Sequence, residues 1–597
     1  MIARLLAAAE NAGLVAALAV MALLPLVEIA LRATLKAGVS GAAAFTQNLA
    51  LVAGMLGAVV AAREGRLLSL STLPSLLSPA ASTLARQFTG IVSAAIAALL
   101  FVASVGFVCA ERDGGNLIAY GVPVWLMAAA LPAGFALMTV RLAADAPTWT
   151  SRAAALLAAL AIGAAAASGA ALSPALVAAM LGLLLVATVL GSPVFATLGG
   201  LALFLFWGDG LPIASIPLDH YRLVVNPSLP MIPLFTLAGY FLAEGGAPRR
   251  LVRVCDALFG GLRGGAALVT VVACVFFTSF SGASGVTIIA LGGMLMPLLL
   301  GSGYSPKAAL GLLTSAGSLG GLLPPGLPLV LYAIIAKVSI EDMFLAGIIP
   351  GVLMVGLVAA WGIRQAPRQS VRRQFNPREA RAALWDAKWE LALPLVAFAG
   401  LFSGAATPVE AAALTAVYAF VVEVFIHRDL DLRRDVPRVM VQAGLLVGGI
   451  LLILGVALGL SNYLVDAQIP ERAVDWVTGT VRSRWLFLLA LNLFLLVAGC
   501  FLDIFSATVV LVPILLPLAA AYGVDPVHLG IIFLANMELG YLTPPVGMNL
   551  FFAAYRFGKP LPEVFRAVLP PMCVLAAGVL LLTFLPWLAT GLLARPQ

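Results

Sequence analysis

Charge is scarce in this chain of 597 residues. Only 10% of the residues are charged, whereas 62% are hydrophobic, and the mean hydropathy is +1.08. A soluble protein has about a quarter of its residues charged, because its surface must be wetted. No soluble core is large enough to hide this much apolar surface. We therefore expect an all-α protein that crosses a lipid bilayer many times.

Other absences exclude further classes of function. The five cysteines lack paired spacing and the three histidines are dispersed, so neither disulfides nor a metal cluster are expected. We find no nucleophile–base set, and predict that the chain is not an enzyme. The only Gly-Lys pair, Gly558-Lys559, is followed by Pro560 and is not a Walker A sequence. The charge of +7 is spread between apolar segments, which excludes nucleic acid as a partner.

The basic residues predict the topology. With the N-terminus and Arg4 placed in the cytoplasm, about fifteen transmembrane helices plus two re-entrant hairpins return nearly every basic cluster to the cytoplasmic side. We predict a small four-helix unit at residues 1–150, a transmembrane connector helix at 151–173 and a large unit at 174–597.

Two regions of the large unit are apolar but interrupted. Residues 264–306 are uncharged yet contain a Ser/Gly tract at 278–285, and the following segment is broken at 317–321 and at Pro324-Pro325. A second pair is broken at 499–503 and, farther on, between Asn536 and Pro545. Irregular backbone is tolerated at membrane depth only where it is buried in protein or lines a cavity. We therefore predict two re-entrant hairpins, each followed by a broken helix.

The two interrupted regions form an internal repeat with an offset of 220 residues, at about 229–363 and 440–590. An odd number of predicted crossings separates their starts, so the repeats should be inverted. Inverted repeats with paired broken helices are typical of secondary transporters, whose substrate and ion sites lie where the breaks meet. The matched pairs are Pro297 with Pro517, Pro306 with Pro526, Pro324-Pro325 with Pro544-Pro545, Pro350 with Pro570, and Gly320 with Gly540.

Polar groups at the breaks are the candidate binding residues. Asp503 is the one acidic residue within 485–524, and an ionisable group inside a membrane indicates function, the alternative being a cap at a helix start. Freed carbonyls and hydroxyls can bind a small cation, and helix N-termini can face a carboxylate. For substrate we predict Ser281, Ser284, Ser318, Lys337, Asn536 and Asn549. For the cation we predict Ser281, Gly317, Gly320, Asp503, Thr508, Gly540 and Thr543.

These segments resemble the membrane component of tripartite ATP-independent periplasmic (TRAP) transporters, in the form that fuses the small (Q-type) and large (M-type) subunits. Residues 1–145 resemble the small subunit by pattern, and residues 175–597 resemble the large one. The segments that carry the resemblance are 280–285, 317–328, 339–351, 407–413, 501–503 and 543–550.

The resemblance implies sodium-coupled secondary active import of an organic acid (a dicarboxylate, sialic acid or a related carboxylate), with Na⁺ as the coupling ion. It implies delivery by a periplasmic substrate-binding protein, a place in the bacterial inner membrane, and an elevator-type motion beside a scaffold that includes the small unit. A stand-alone organic-anion antiporter or symporter remains the alternative.

Three positions depart from the family pattern. Members commonly have Ser where this chain has Gly326, which we include among the substrate residues by position. They usually have a small residue at Lys337 and an apolar one at Glu538. These departures bear on which substrate and which ions the chain binds.

Overall fold

The computed structural model describes residues 2–69, 78–146, 148–169, 171–367, 375–402 and 406–593. The regular structure of these residues is helical, with two isolated bridges beside it, which confirms the all-α prediction. Within them, twelve helices are long and apolar enough to cross a membrane, or thirteen if the bent pair Pro306–Leu322 and Leu327–Ala336 is one span. Five further apolar helices are shorter, so the count of about fifteen spans stays a prediction.

The chain divides into two compact units. Unit 1 contains Met1–Leu234 and Pro437–Pro470, and unit 2 contains Phe235–Val436 and Glu471–Gln597. Trp149–Ala167 falls where the connector helix is predicted, and the division at 150 and 173 stays a prediction. The helices of unit 1 are Ile2–Leu35, Ala42–Arg63, Pro79–Gly114, Val124–Ala128, Ala130–Ala144, Trp149–Ala167, Pro174–Val189, Val194–Gly208, Ser215–Val224 and most of Asp435–Asp466.

A buried carboxylate ties three helices of unit 1 together. Glu10 accepts a hydrogen bond from Arg63 at 2.7 Å and another from Arg141 at 2.6 Å. Glu10 lies near the start of its helix, whereas Arg63 and Arg141 lie near the ends of theirs. These three helix ends therefore meet on one side of unit 1. This agrees with the predicted topology, in which the first helix starts, and the second and fourth helices end, on the same side of the membrane.

Glycines let two helices of unit 1 touch through their backbones. A Cβ at Gly448 would lie 2.2 Å from the amide nitrogen of Ala58, and a Cβ at Gly57 would lie 2.0 Å from the carbonyl oxygen of Gly444. Gly444 and Gly448 are four residues apart on Asp435–Asp466. Small residues at this spacing permit close approach of transmembrane helices, so this contact depends on glycine.

We expect Gly448→Ala to destabilise the protein by about 1–3 kcal/mol, because the added methyl meets backbone atoms that cannot yield. Gly449→Ala is the matched control, since a Cβ there meets nothing within 4 Å. Thermal unfolding of the purified chain measures both. Equal melting temperatures for the two variants would contradict the close contact.

Unit 2 has further described helices before, between and after the two sets of hairpins and broken helices that are equivalent to each other, and the predicted repeat bounds of 229–363 and 440–590 stay a prediction. An acid-rich cluster lies among them, around Arg250. These helices are most of Met231–Glu244, Ala247–Phe259, Pro377–Asp386, Lys388–Phe402, Pro408–Val421 with the π-helical turn Val422–Ile426, most of Ile469–Thr480, and Trp587–Thr590.

Arg250 joins four segments of unit 2. Its guanidinium donates to Glu390, to both oxygens of Glu423 at 3.0 Å and to Asp429 at 2.5 Å, and His427 lies 3.3 Å from Glu390. Glu390 and Glu423 are fully buried. Burial alone would raise the pKa of Asp429, but the hydrogen bond and charge of Arg250 lower that pKa below its ordinary value. Asp429 therefore stabilises the fold above its ordinary pKa, and this contribution is lost as the pH falls through the lowered value.

We expect Arg250→Ala to lower the free energy of unfolding by about 3–5 kcal/mol, because it leaves two buried carboxylates without their cation. Arg249→Ala removes an exposed neighbouring charge and should cost no more than about 0.5 kcal/mol. Comparing the melting temperatures of the two variants tests this. A similar loss in both would mean that the Arg250 contacts contribute little.

The predicted repeat is visible as two sets of equivalent helices in unit 2. Each set has a hairpin, a broken helix and a closing helix. Set 1 comprises hairpin 1 (Gly265–Ser281 and Ser284–Gly301), broken helix 1 (Pro306–Ala316, the 3₁₀ turn Leu319–Leu322, and Leu327–Ala336) and closing helix 1 (Ile340–Arg364). Set 2 comprises hairpin 2 (Arg484–Phe501 and Ile504–Ala521), broken helix 2 (Pro526–Gly540 and Met548–Phe557) and closing helix 2 (Leu561–Phe584).

Both hairpins return to the side from which they start. Tyr304, just after hairpin 1, donates to the carbonyl of Gly362 at 3.1 Å, and a Cβ at Gly264, just before it, would lie 2.9 Å from the Cα of Ile363. In hairpin 2, Phe487 near the start stacks on Tyr522 just after the end, with ring centroids 4.1 Å apart. Each segment is therefore a helical hairpin, as predicted. Three of the four arms are long and apolar enough to cross a membrane, so the re-entrant depth stays a prediction.

The two sets run in opposite directions. Gly311 lies in the first part of broken helix 1. A Cβ there would contact Ala567, which is near the start of closing helix 2. It would also contact Trp361, which is near the end of closing helix 1. The equivalent position in the second repeat meets the other closing helix. A Cβ at Gly530, near the start of broken helix 2, would contact Met343, near the start of closing helix 1. The equivalent closing helices are therefore antiparallel, which is the arrangement of inverted repeats.

Each set also packs against the other. The second arm of hairpin 1 packs on Met548–Phe557, and the second arm of hairpin 2 packs on Leu327–Ala336. A Cβ at Gly285 of hairpin 1 would lie 2.5 Å from the ring of Phe552. This exchange brings the two breaks into one continuous core of unit 2.

Candidate functional site

Hairpin 1 holds the first break through its hydroxyls. Thr278 Oγ1 donates to the carbonyl of Gly317 at 2.7 Å, and Ser279 Oγ donates to the carbonyl of Gly320 at 3.1 Å. Thr278 also shares a hydrogen bond with Thr287, on the second arm, at 2.7 Å. A carbonyl oxygen has two lone pairs. Gly317, a predicted cation ligand, therefore keeps a lone pair for an ion, whereas the carbonyl of Gly320, another predicted ligand, accepts a second hydrogen bond from the amide of Leu323 at 3.1 Å.

The matched glycines of the two breaks both touch hairpin backbone. A Cβ at Gly320 would lie 2.4 Å from the carbonyl oxygen of Val275, and one at Gly540 would lie 2.6 Å from the carbonyl carbon of Gly499. Both positions therefore exclude any side chain. At the second break, Tyr541 accepts a hydrogen bond from the amide of Ile504, at the tip of hairpin 2, at 2.9 Å.

Asp503 caps the second arm of hairpin 2. Its Oδ1 accepts hydrogen bonds from the amides of Phe505 and Ser506 at 3.0 Å each, and its Oδ2 accepts from the Ser506 hydroxyl. The residue is buried. The helix cap, which the sequence offers as the alternative role for Asp503, is therefore present. It fixes the tip of hairpin 2, which the second break contacts.

The breaks concentrate buried oxygens that have no hydrogen-bond partner. Most buried polar atoms in folded proteins are paired, so each exception needs an explanation. Here the unpaired oxygens are neutral hydroxyls, an amide and one carboxylate, all of them suited to a cation or a polar substrate. Within the described residues they are Ser315 Oγ, Ser318 Oγ, both carboxylate oxygens of Glu538, and Asn549 Oδ1.

The remaining predicted polar residues are held near these positions. Ser281 and Ser284 are buried on either side of the tip of hairpin 1, where Gly282 turns the chain with φ +65°. Thr508 and Thr543 donate to the carbonyls four residues before them, at 2.6 and 3.0 Å, which leaves their oxygen lone pairs available.

Asn536 and Asn549 differ in their surroundings. Asn536 Nδ2 donates to Asn492 Oδ1 and to the carbonyl of Ile532, both at 2.8 Å, and so serves to join two helices. Asn549 Nδ2 donates to the carbonyl of Thr314 at 3.4 Å, which links the second break to the first. Asn549 therefore lies between the breaks, with its oxygen unpaired.

Two predicted substrate residues do not add a side chain to the breaks. Lys337 is exposed and ends Leu327–Ala336 in a left-handed conformation, φ +56°. At a rise of 1.5 Å per residue it lies about 15 Å along the helix from Gly326. A Cβ at Gly326 would lie 2.6 Å from the carbonyl oxygen of Gly321, so Ser would need the loop to shift.

Sequence reasoning missed several polar residues around the breaks. Asn492 accepts hydrogen bonds from Asn536 and, at 3.1 Å, from Thr583, and so ties hairpin 2 to closing helix 2. Asn492 is the only amide in an apolar helix, a signal that could have identified it. Thr278 and Ser279 begin the Ser/Gly tract, but only the fold reveals that their partners are carbonyls of the first break.

Two family models match separate parts of the chain. Residues 181–588 match the DctM component of the tripartite ATP-independent periplasmic transporters, and residues 21–152 match the DctQ component. The chain belongs to the TRAP transporter family. The two matches in one chain also confirm the fusion of small and large subunits.

Relatives of this TRAP transporter chain are transporter permeases. The C4-dicarboxylate TRAP transporter large permease DctM of Pseudomonas aeruginosa is 36% identical over 66% of this chain and 92% of its own length. The DctM of Rhodobacter capsulatus is 34% identical over 69% of this chain and 98% of its own length. The isethionate TRAP transporter permease DctMQ of Oleidesulfovibrio alaskensis is 32% identical, over 66% of this chain and 63% of its own. Among solved structures, the YdaH transporter of Alcanivorax borkumensis aligns with a TM-score of only 0.43 at 17% identity, over 60% of this chain and 85% of its own.

The cap of Asp503 leads to a prediction about the stability of this TRAP transporter chain. Asp503→Asn should leave the melting temperature nearly unchanged, because Asn caps a helix almost as well as Asp. Asp503→Ala should cost about 1 kcal/mol, because two buried amides lose their acceptor. If thermal unfolding gave the same stability for the Ala variant and the wild type, the cap would not hold the hairpin tip.

Proposed function

We propose that this TRAP transporter chain is a sodium-coupled secondary active importer of an organic acid that a periplasmic substrate-binding protein delivers. Na⁺ is the coupling ion. The domain that holds both hairpins moves as an elevator, and the small subunit belongs to the fixed scaffold beside it. The chain lies in the bacterial inner membrane with its N-terminus in the cytoplasm, in keeping with the positive-inside rule.

The unpaired oxygens at the two breaks carry this proposal. Ser318 and Asn549 supply neutral oxygens, and the carbonyls of Gly317 and Gly540 lie in the same two breaks. The predicted role of Gly320 would require its carbonyl to exchange one of its two hydrogen bonds for the ion. Oxygen donors of this kind can replace the hydration shell of a small hard cation such as Na⁺. The inverted arrangement of the breaks supports transport by alternating access.

The helix starts at the breaks support a carboxylate substrate. Leu327–Ala336 and Met548–Phe557 begin at Gly326 and Gly547, and neither has a side-chain cap. The amides of Leu327 and Met548 are left to face an anion, which is stabilised at a helix N-terminus. The amides of Leu329 and Asn549 already donate to the carbonyls of Gly326 and Tyr541. Two such starts, one in each repeat, favour a substrate with two carboxylates. A dicarboxylate is therefore the first candidate, consistent with the names of the P. aeruginosa and R. capsulatus relatives, ahead of sialic acid or another carboxylate.

Uptake into proteoliposomes tests the proposal. The partner binding protein is first screened against organic acids, and its tightest radiolabelled ligand is then supplied with it. We expect uptake only when an inward Na⁺ gradient and the loaded binding protein are both present, and at least a tenfold loss when choline replaces Na⁺. Asp503→Asn should weaken the dependence on sodium without preventing membrane insertion, because the cation loses a nearby negative charge.

Two outcomes would contradict the proposal. Uptake of the free acid without a binding protein would favour the stand-alone antiporter or symporter. Uptake that is indifferent to sodium would remove Na⁺ as the coupling ion, and wild-type sodium dependence in Asp503→Asn would remove Asp503 from the coupling.

A further inference from the structure

We propose that a stripe of aromatic and basic side chains on two consecutive helices of unit 2 binds the headgroups of anionic phospholipids. The helices are Pro377–Asp386 and Lys388–Phe402, which are separated only by Ala387. This surface, the headgroup stripe, has a role beyond the proposed transport function. It consists of Arg378, Arg381, Trp385, Lys388 and Trp389.

The headgroup stripe lies opposite the face by which these helices pack on the protein. Ala380, Ala383 and Ala387 are buried, and the last two form a small core with Val254 of Ala247–Phe259. Successive residues are about 100° apart around a helix axis, so the three alanines share one side of the helix and the headgroup stripe occupies the other. Four of the five stripe residues are exposed, and Lys388 is half-buried.

The ammonium of Lys388 lies against two indole rings. Its Nζ is 3.6 Å from the centroid of the Trp385 ring and 5.1 Å from that of the Trp389 ring. These cation–π contacts hold the ammonium in place but do not neutralise it, so its N–H donors remain available to a phosphate. Trp385 is 71% exposed, and a large amphipathic ring with this exposure is typical of the level of the lipid headgroups.

The charge of the headgroup stripe is purely positive. Within the described residues, no ion pair joins any of its three cations to a carboxylate. The acids of Pro377–Asp386 are Glu379 and Asp386, which are seven residues apart and share a flank of the helix beside the stripe. Arg253 donates to Asp386 at 3.4 Å. The exposed cations are therefore complementary to the phosphates of anionic lipids.

The headgroup stripe leads directly into an apolar helix. After Glu390, Lys388–Phe402 has no charged residue, and its Leu395 is 69% exposed, as expected for a side chain that faces lipid. The predicted topology returns the basic segments to the cytoplasmic side, where anionic lipids give the leaflet a negative surface potential. The headgroup stripe therefore meets the phosphate level of this leaflet.

Lipid retention by the full chain tests the proposal. The detergent-purified chain is given equal amounts of phosphatidylglycerol and phosphatidylcholine, and the bound lipids are counted by native mass spectrometry. We expect the wild type to retain phosphatidylglycerol preferentially. Lys388→Gln should weaken the binding of phosphatidylglycerol roughly fivefold, because one cation at an anionic lipid surface contributes about this factor. Arg433→Gln removes an exposed arginine outside the stripe and should bind lipid as the wild type does.

Fluorescence quenching tests the contact without a change of charge. Nanodiscs are prepared with brominated acyl chains either on phosphatidylglycerol or, at the same fraction, on phosphatidylcholine, because bromine quenches the tryptophans that touch the labelled lipid. We expect Trp385→Phe to lose more of the quenching by phosphatidylglycerol than of the quenching by phosphatidylcholine. Trp476→Phe is the control, since Trp476 is 73% exposed on Ile469–Thr480, outside the stripe. It should show no preference between the two lipids.

The contrary results are distinct. Equal retention of the two lipids by the wild type would remove the preference for an anionic headgroup. Equal retention by Lys388→Gln and the wild type would remove the headgroup stripe as the binding surface, and if that variant does not fold, equal losses of quenching in Trp385→Phe would do the same. Displacement of phosphatidylglycerol by the same concentration of soluble glycerol 3-phosphate would mark a site for a free anion and overturn the lipid. None of these readouts measures transport, so each can fail while the proposed sodium-coupled import stands.

Discussion

Backbone groups that leave a helix at membrane depth must find partners within the protein, since no bulk water reaches them. The hairpins of unit 2 answer this constraint. In the first repeat, the hydroxyls of Thr278 and Ser279 occupy carbonyls of Gly317 and Gly320. Without hairpin 1, these hydroxyl donors to the carbonyls of the first break would be missing. The hairpin is therefore what gives the non-helical backbone of the first break partners within the protein.

The second repeat meets the same constraint with different side chains. The backbone of Gly499 packs directly against Gly540, whose carbonyl accepts a hydrogen bond from the amide of Thr543 at 3.0 Å. Tyr541 and Asp503 then bind the amides at the tip of hairpin 2. The two halves thus share a backbone geometry but differ in the side chains that hold each break.

The sequence predicted features that depend on neighbouring residues, and it did not predict contacts between residues far apart along the chain. Proline pairs such as Pro306 and Pro526 located the equivalent helices, because proline fixes helix starts locally. The cap at Asp503 was also a local pattern. The partners of Arg250 lie 140 to 179 residues away, and no local pattern could identify them. Lys337 is exposed and follows the end of a short helix that begins at the first break, and its contact with substrate stays a prediction.

The exchange of contacts between the repeats also governs the order in which the protein can be assembled. The second arm of hairpin 1 packs on Met548–Phe557, which the ribosome makes more than 220 residues later. At about 5–20 residues per second, the delay is roughly 10–45 seconds. During this time the apolar arm has no final partner, and the inserted first repeat must remain beside lipid or translocation machinery. Hairpin 1 therefore reaches its native environment only when synthesis of the chain is nearly finished.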